Sequence, residues 1–557
     1  MFPINIQNFK ELFSGTSLLV YIAVAISVGV FLYFATLKFV LALQQGGYRV
    51  KKYFDWVTNP QTPYLSRLML LCLMGFLFFC VLNVTFSPIV GNEIGSFIGL
   101  ISFYLFTGLF IKSESSVNAK IPLKKTKRIV RLMITYVLVL FVVAFSFIIL
   151  LNYLAFIISS EVVALLRLSL ICVLPILTPF LLFIAYLINE PFERFLRKTL
   201  IKKATDRLDK TSALKIAITG SYAKTSVKEI LKTILSQKFR VLATPESYNT
   251  PLGVSIATRK LDGTHDVFIV EMGARRKGDI KELVDMVKPD VAVLTGINNQ
   301  HLETFGTEEI VKLTKYELIE GLKKDGKAFF SSDSVGSLEL YEKCETEKYL
   351  SGLNGENNFV TAKNIKLVNG GLTFELVVGD KTFNMSTTLL GRHNISNICL
   401  AVSVALKLGM TEEEIALGVN RLSSIWHRLE LIANNKDITI IDDSYNSNEN
   451  GFKSAMEVLD MFEGRKIVLT PGLVELGKME NVVNYSLGKL LSNHANIVIV
   501  IGKHNAEMLI NGLKDGGMES ANIHFAKTLQ KANEYLNSIL RPKDVVLFEN
   551  DLPDNYN

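Results

Sequence analysis

Cysteine is scarce in this sequence, with five residues among 557 and no CxxC pair. Disulfide frameworks and cysteine zinc sites need paired or closely spaced cysteines. The five occur singly, at Cys72, Cys80, Cys172, Cys344 and Cys399. Neither a disulfide framework nor a cysteine zinc site is therefore predicted.

An excess of charge of one sign is also lacking, because 60 Lys and Arg face 53 Asp and Glu, a net charge of +7. Much of this excess lies in loops that flank apolar runs. Nucleic-acid binding rests mainly on phosphate contacts from clustered Lys and Arg. The sequence therefore predicts no nucleic-acid partner, and its basic loops indicate membrane orientation instead.

Ionisable residues are rare in five apolar runs of the first third, each long enough to span about 30 Å of hydrocarbon. The runs cover residues 18–43, 68–84, 94–111, 129–151 and 163–188. The first is too long for a cleavable signal peptide and lacks a basic leader and a small-residue cleavage site. Because no span carries a series of charges, we expect an anchor in contact with membrane lipid, with a transporter as the weaker alternative.

The Lys and Arg of the connecting loops predict how these spans are oriented. The loops after the first and third spans are basic, whereas those after the second and fourth contain no Lys or Arg. The positive-inside rule then places the N-terminus outside the plasma membrane and everything after the fifth span in the cytoplasm. Residues 191–210 are predicted to form a basic helix, which either follows the inner leaflet or serves as a solvated linker.

The segment IAITGSYAKTSV, residues 216–227, is typical of a strand, a tight loop and the first turn of a helix. Such a loop holds phosphate with its N–H groups, while a lysine reaches the outer phosphates and a hydroxyl binds Mg²⁺. Only three residues separate Gly220 from Lys224, and Ala223 replaces the second glycine of the usual G-x-x-x-x-G-K-[ST] pattern. If the loop needs a positive φ there, the alanine costs roughly 1–2 kcal/mol. By itself the segment is equally consistent with an ordinary strand-to-helix turn.

Strands and helices alternate after this loop, which predicts an α/β fold with a parallel sheet and ligands at the carboxyl ends of its strands. Strands are predicted at residues 267–272 and 291–297. The first strand ends in Glu271 and Met272, and His301 follows the second, so Glu271 and His301 are both expected at the edge that carries the loop. An acid and an imidazole there suit a divalent-metal site, although each alone is more typical of an ordinary surface residue.

Three segments resemble successive motifs of the Mur ligase family, the ATP-dependent amide ligases of peptidoglycan synthesis. They are TGSYAKTS (219–226), EMGARRKGDI (271–280) and NNQHLETFGT (298–307). The resemblance implies that ATP phosphates are bound by Gly220, Ser221, Ala223, Lys224, Thr225 and Ser226. It also implies that Thr225, Glu271 and His301 hold Mg²⁺, and that Asn249 lies near the substrate and the phosphates.

The segment TKYE, residues 314–317, is similar to a family segment whose lysine is carbamylated by CO₂. A carbamate turns a cation into an anion able to ligate a second Mg²⁺. This makes Lys315 a candidate catalytic residue beside Lys224 and His301. The other interpretation of Lys315 is a plain lysine on a helix surface.

The segment GRHNISN, residues 391–397, follows a β-rich stretch and opens a long apolar helix. It is similar to the family segment that contacts adenine and closes the domain. The resemblance implies adenine contacts for His393, Asn394 and Asn397.

A fresh series of βα units from about residue 425 predicts a small Rossmann-like domain. IDDSYNSN, residues 441–448, is similar to a family loop that reaches back to the active site. The resemblance implies an ATP-phosphate contact for Arg428 and a ribose or hinge contact for Asp443. The ending FENDLPDNYN, residues 548–557, departs from the family's K-G-S type ending, which is involved with the incoming amine.

The predicted organisation has four parts. They are a membrane domain of about five helices at 1–190, a connector at 191–210, a central ATP-binding domain at 211–424 and a C-terminal Rossmann-like domain at 425–557. The resemblance implies a ligase that uses ATP and two Mg²⁺ ions to join a cell-wall precursor carboxylate to an amino acid or dipeptide amine through an acyl phosphate. The alternatives are the same chemistry on another poly-amino-acid or lipid-linked carboxylate, and a non-catalytic nucleotide-binding scaffold at the membrane.

Overall fold

The chain divides into two compact units, Met1–Leu196 and Arg197–Asn557. A computed structural model describes most of both. The described residues are 18–59, 64–90, 105, 108–109, 123–154, 160–245, 248–297, 305, 307–368, 370–423, 429–432, 437–444, 447, 449–474, 476 and 479–550.

Helices make up most of the described part of the first unit. They are α1 (Leu18–Gln45), α2 (Val50–Thr58), α3 (Tyr64–Val90), α4 (Lys127–Leu154) and α5 (Ser160–Lys210), which continues into the second unit. Four of the five apolar runs fall within α1, α3, α4 and α5. The third run, 94–111, lies almost entirely outside the described residues. The last run and the connector form one unbroken helix, although the sequence predicts two elements.

Only one stretch among the described residues, Ile176–Lys210, combines the length and the apolar composition that a membrane crossing requires. A single helix of this kind is weak evidence for a membrane protein. The five-span arrangement therefore stays a prediction.

The basic loop that was predicted after the first span contains a helix, α2. Tyr53 and Val57 are buried one turn apart, while Lys51 and Lys52 are exposed. The Tyr53 hydroxyl donates to the backbone oxygen of Pro179 at 2.9 Å. The helix forms because its apolar side chains recur at the i, i+4 spacing of one helical face.

A nine-stranded sheet organises the first part of the second unit, in the order β2-β3-β1-β4-β5-β6-β7-β8-β9. The strands are β1 (Leu214–Thr219), β2 (Val241–Ala243), β3 (Val267–Glu271), β4 (Val291–Leu294), β5 (Lys327–Ser331), β6 (Glu347–Gly352), β7 (Val360–Val368), β8 (Gly371–Val378) and β9 (Lys381–Thr387). Pairing is parallel as far as β7 and antiparallel from β7 to β9. The predicted parallel α/β sheet is confirmed.

Helices cover both faces of this sheet. They are α6 (Lys224–Leu235), α7 (Pro251–Ala257), α8 (Asp279–Val287), α9 (Glu308–Glu320), α10 (Val335–Lys343), α11 (Arg392–Lys407) and α12 (Glu412–Asn420). Alternate residues of β1 enter opposite cores. Ile216 and Ile218 pack with α6 and α11, whereas Ala217 packs with α8 and α9. Burial on both faces explains why the strand reads as a continuous apolar run.

A second sheet of six strands forms the C-terminal part, in the order β10-β11-β15-β12-β13-β14. Its strands are β10 (Glu430–Ile432), β11 (Thr439–Asp443), β12 (Lys466–Thr470), β13 (Ile497–Ile501), β14 (Ile523–Ala526) and β15 (Val545–Glu549). Its helices are α13 (Glu449–Asp460), α14 (Glu480–His494), α15 (Ala506–Asp515) and α16 (Leu529–Ile539). All pairs except β10–β11 are parallel, which confirms the predicted Rossmann-like domain.

The strand predicted at 291–297 is too long, because β4 ends at Leu294. The chain leaves the sheet there and runs beneath the loop that follows β1. The Thr295 hydroxyl donates to the Tyr222 carbonyl at 2.5 Å, and the Gly296 carbonyl accepts from the Ser221 N–H at 2.8 Å. These bonds hold the loop against the carboxyl edge of the sheet.

Candidate active site

The loop between β1 and α6 has a conformation that two of its residues determine. Gly220 has φ +157°, and a Cβ there would lie 1.9 Å from the Thr295 Oγ1, so a side chain cannot be accommodated. Ala223 has φ +62° and ψ 0°, in the left-handed region. Position 223 therefore has a positive φ, and an alanine adopts it in place of a glycine.

Replacing Ala223 with glycine is expected to raise the free energy of unfolding by about 0.5–1 kcal/mol. A left-handed backbone conformation destabilises a residue with a side chain by roughly 1–2 kcal/mol, and glycine removes this strain. The greater freedom of glycine in the unfolded chain lowers the free energy of unfolding by about 0.5–1 kcal/mol, which offsets part of the gain. Chemical denaturation of the full-length chain measures the change. Ala416→Gly, within α12, is the matched control and should destabilise by about 1 kcal/mol. Equal losses for both variants would contradict the strain at Ala223.

Lys224 is the first residue of α6, and its ammonium group lies over the preceding loop. Its Nζ donates to the carbonyls of Gly220 at 2.8 Å and Ser221 at 3.0 Å. The N–H groups of a helix N-terminus attract anions, and a lysine on the same loop adds a full positive charge. Ser221 in the loop and Ser226 in the first turn are buried. This arrangement can bind a phosphate group.

Glu271 ends β3 and lies directly beside the first turn of α6. Its carboxylate is 1% exposed and accepts from the Thr225 hydroxyl at 2.9 Å and from the Asn249 amide at 3.1 Å. A hydroxyl and a carboxylate are the hard oxygen donors that Mg²⁺ prefers, so these residues fit the predicted metal. His301 lies outside the described residues. Within the described part of the chain, no three His, Cys, Asp or Glu side chains come together as a metal site.

Asn249 reaches Glu271 because residue 273 is a glycine. The Gly273 N–H donates to the Asn249 carbonyl at 2.9 Å. A Cβ at position 273 would lie 2.7 Å from the Asn249 Cγ. The segment EMG, residues 271–273, thus supplies the carboxylate of Glu271 and, at Gly273, the space for the Asn249 side chain.

Lys228 also contacts Glu271, although it is not among the site residues that the sequence predicts. It is completely buried, and its Nζ lies 3.6 Å from the Glu271 Oε2. Lys228 follows Lys224 by four residues, so the two lie on one face of α6. The spacing of four residues could have indicated that Lys228 lies on the same face as Lys224. Its contact with Glu271 depends on how α6 packs against β3.

Lys315 lies within α9 and is 3% exposed, which rules out the plain surface lysine. Burial, followed by the positive charge of Lys224, lowers its pKa to about 7, against the opposing effect of Asp279 and Glu317. Glu317, two residues later, accepts the N–H groups of Gly278 at 2.8 Å and Lys281 at 2.9 Å. It thereby attaches α9 to the first turn of α8, and a neutral, nucleophilic amine at Lys315 is available near neutral pH.

The GRHNISN segment opens α11 as predicted, with Gly391 as the N-cap and Arg392 as the first helical residue. Asn394 and Asn397 are buried, and the Asn394 amide donates to the Leu390 carbonyl at 2.7 Å. The side chain of His393 is half-buried beside them. The segment is therefore a packed helix start.

Asp333 is a second residue that is not among the site residues predicted from the sequence. Its carboxylate follows β5 and accepts the N–H groups of Leu353 at 2.9 Å and Asn354 at 2.8 Å. It also accepts the hydroxyl of Ser396. Asp333 therefore fixes the first turns of α11 against the ends of β5 and β6, which no local pattern reveals.

Asp443 lies at the carboxyl end of β11, at the edge of the second sheet rather than the first. Its Oδ1 accepts the Leu429 N–H at 3.1 Å. Beside it in the register is Glu549, which is completely buried and accepts the Ser447 hydroxyl at 2.6 Å. Burial and the charge of Asp443 raise the pKa of Glu549 well above its usual range. Arg428 lies outside the described residues.

A strand-loop-helix phosphate site, with a lysine on the helix and an acid on the neighbouring strand, defines a nucleotide-binding α/β protein of the P-loop class. Residues 218–405 match the Mur ligase middle domain, and residues 427–549 match the Mur ligase glutamate ligase domain. The chain belongs to the Mur ligase family. The prediction of an ATP-dependent amide ligase of the Mur type is thus confirmed at the level of the family.

Two curated relatives illustrate the similarity, and both are UDP-N-acetylmuramoyl-tripeptide–D-alanyl-D-alanine ligases. The one from Buchnera aphidicola subsp. Baizongia pistaciae is 31% identical over 340 residues, which is 61% of this chain and 72% of the relative. The one from Bacillus subtilis is 28% identical over 302 residues. Those residues are 54% of this chain and 65% of that relative, just under two thirds of its length.

Solved structures agree with this assignment. MurF from Acinetobacter baumannii is 26% identical with a TM-score of 0.58, covering 64% of this chain and 77% of that one. MurF from Thermotoga maritima in complex with ADP is 27% identical with a TM-score of 0.57, covering 64% of this chain and 80% of that one. The chain is therefore MurF-like in its central and C-terminal domains.

Proposed function

We propose that the chain forms an amide bond on a peptidoglycan precursor by adding D-Ala-D-Ala to UDP-MurNAc-tripeptide with ATP. The names of its relatives supply the substrates. The observation that supports the chemistry is the geometry at the sheet edge, where the Lys224 ammonium lies over the loop and the Thr225 hydroxyl contacts Glu271. A phosphate, a metal and a reacting carboxylate can be held together there.

In the proposed reaction, an oxygen of the donor carboxylate attacks the ATP γ-phosphorus, and ADP leaves. The product is an acyl phosphate. The acceptor amine then attacks the acyl carbon, loses a proton, and inorganic phosphate leaves as the amide forms. Lys224 and the loop N–H groups bind the transferring phosphoryl group and neutralise its charge, so the protein acts mainly by positioning and electrostatic stabilisation.

Two Mg²⁺ ions are proposed to be held by Thr225, Glu271, His301 and carbamylated Lys315. Bound Mg²⁺ would neutralise phosphate charge and orient the phosphoryl group. The Lys315 amine supplies the carbamate by attacking CO₂ with loss of a proton. Its burial and pKa of about 7 support this step, because only the neutral amine is a nucleophile.

The remaining predicted contacts complete the proposal. His393, Asn394 and Asn397 bind the adenine, Asn249 binds the substrate or phosphates, and Asp443 contacts the ribose or serves as a hinge. Arg428 contacts ATP phosphate. These roles require the C-terminal domain to close over the central one, with domain boundaries at 211–424 and 425–557.

The membrane part of the proposal concerns the first unit. Residues 1–190 form a multi-span domain in the plasma membrane, with the N-terminus outside, and the helix over 191–210 leads to a cytoplasmic ligase. The long helices α1, α3, α4 and α5 support this arrangement. Membrane lipid is then a partner.

A second candidate donor follows from the extent of the family match. The matched region begins at residue 218, and the preceding unit consists mainly of helices where it is described. This favours a lipid-linked carboxylate presented at the membrane surface, acted on by the same amide chemistry.

Phosphate release by the full-length chain with ATP and Mg²⁺ tests both donors. UDP-MurNAc-tripeptide with D-Ala-D-Ala is compared with lipid-linked donors and a panel of other amines. Release that requires donor and amine together, with the matching amide found by mass spectrometry, supports the ligase. ATP binding without release under any condition favours the non-catalytic scaffold.

A further inference from the structure

Lys228 is a fully buried lysine at the base of the proposed metal site. Its Nζ lies 3.6 Å from the Glu271 Oε2 and 3.3 Å from the Glu229 Oε1. Lysine is almost never fully buried unless it is paired. Glu271 is itself 1% exposed, whereas the Glu229 side chain is 34% exposed, so the buried charge pair is Lys228 with Glu271.

Glu271 has two neutral hydrogen-bond donors and one charged neighbour, Lys228. Thr225 donates a hydroxyl to Oε2 and Asn249 donates an amide to Oε1. Neither donor carries a charge, so neither balances the carboxylate. The Lys228 ammonium does, and its 3.6 Å distance to Oε2 exceeds the roughly 2.7–3.2 Å of a hydrogen bond. It therefore acts by charge without a directional bond to the oxygen.

Thr225 and Lys228 are three residues apart on α6 and reach the same carboxylate oxygen. Residues at this spacing share one helical face. The helix that begins at the phosphate loop is thus attached to the end of β3 at two successive turns. Any rotation of α6 would move the phosphate loop and the Glu271 carboxylate relative to each other.

We propose that Lys228 is a positioning residue that holds the Glu271 carboxylate in the orientation needed to receive a divalent cation beside the phosphate loop. This inference rests on the proposed function, because it takes Glu271 as a metal ligand. An ammonium cannot ligate a metal, so Lys228 acts through Glu271. Groups that orient metal ligands from outside the coordination sphere typically change metal affinity by 10- to 100-fold when they are removed, and a loss of roughly that size is expected here.

The test measures Mn²⁺ binding to the full-length chain by electron paramagnetic resonance, in the presence of ADP. Lys228→Met removes the charge and keeps the length of the side chain. It should raise the Kd for Mn²⁺ roughly 10- to 100-fold, and Lys228→Arg should recover part of the loss. Unchanged Mn²⁺ binding in Lys228→Met would show that Lys228 does not position Glu271. Tighter binding would show that the lysine only repels the cation. Either result overturns the proposal.

Lys215 provides the matched control. It is also a buried lysine, 5% exposed, and its Nζ donates to the Leu208 carbonyl at 3.3 Å near the opposite end of β1. Lys215→Met should lower the melting temperature without changing the Kd for Mn²⁺. Equal effects of Lys215→Met and Lys228→Met on that Kd would show a general loss of stability and overturn the specific role.

The same measurements separate this inference from the proposed function. A wild-type chain that binds ADP and Mn²⁺ but forms no amide would refute the ligase and leave the positioning role intact. A wild-type chain that binds no Mn²⁺ with ADP would overturn both. If Lys228→Met does not fold, Lys228→Gln and Lys228→Arg are compared, and equal Kd values for these two would contradict the proposal.

Discussion

Replacing Lys224 with alanine is expected to reduce kcat/KM for ATP-dependent ligation by about 10²–10³-fold, which is the effect of removing one preorganised charge clamp from a transition state. The reason is geometric. Its ammonium is held over the Gly220 and Ser221 carbonyls at the start of α6, where the outer phosphates of a nucleotide are proposed to lie. Coupled phosphate release measures the change.

The matched control for Lys224→Ala is Lys232→Ala. Lys232 belongs to the same helix, but its side chain is 47% exposed and pairs with Glu229 at the surface. This variant should retain nearly all activity, because exposed ion pairs contribute little. Wild-type activity in Lys224→Ala would show that the loop is an ordinary strand-to-helix turn.

Lys315→Ala is expected to cause a loss of similar size, about 10²–10³-fold in kcat, and to abolish any dependence of activity on bicarbonate. In the wild type, activity should fall in CO₂-depleted buffer and recover when bicarbonate is added. It should also fall as the pH drops through about 7, the pKa of Lys315, because below that value the amine is protonated and cannot attack CO₂. Above that pH the neutral amine predominates, so the carbamate is retained.

Lys312→Ala is the control for this effect, because Lys312 lies three residues earlier on α9. It is paired with Glu308 at 3.2 Å and with Glu339 at 2.8 Å. Hydrogen bonding to Glu339 raises its pKa, which keeps it charged and unreactive toward CO₂. Its replacement should leave the bicarbonate dependence unchanged. Full activity of the wild type in CO₂-free buffer, or a bicarbonate response in Lys315→Ala, would refute the carbamate.

Local signals in the sequence determined much of the architecture. The apolar run before Gly220 predicted β1, and the residues after it predicted the start of α6 at Lys224. The segment TEEE, residues 411–414, has the Thr-x-x-Glu pattern of a capping box, and the structure has one at Thr411 at the start of α12. These features depend on residues within a few positions of one another, so a single chain carries the information.

The tertiary structure decided the properties of the site. The sequence assigns no role to Lys228, and it leaves Lys315 open between a carbamylated lysine and a plain surface lysine. Both are buried, and the burial follows from how α6 and α9 pack on the sheet. Asp333 contacts residues 20 and 63 positions away, a distance that no periodicity encodes. The sequence by itself therefore determined the elements and the family motifs. Only the tertiary structure decided which charged side chains are buried and which partners they contact. Burial and charge pairing depend on segments that are distant in the sequence and are brought together by the fold.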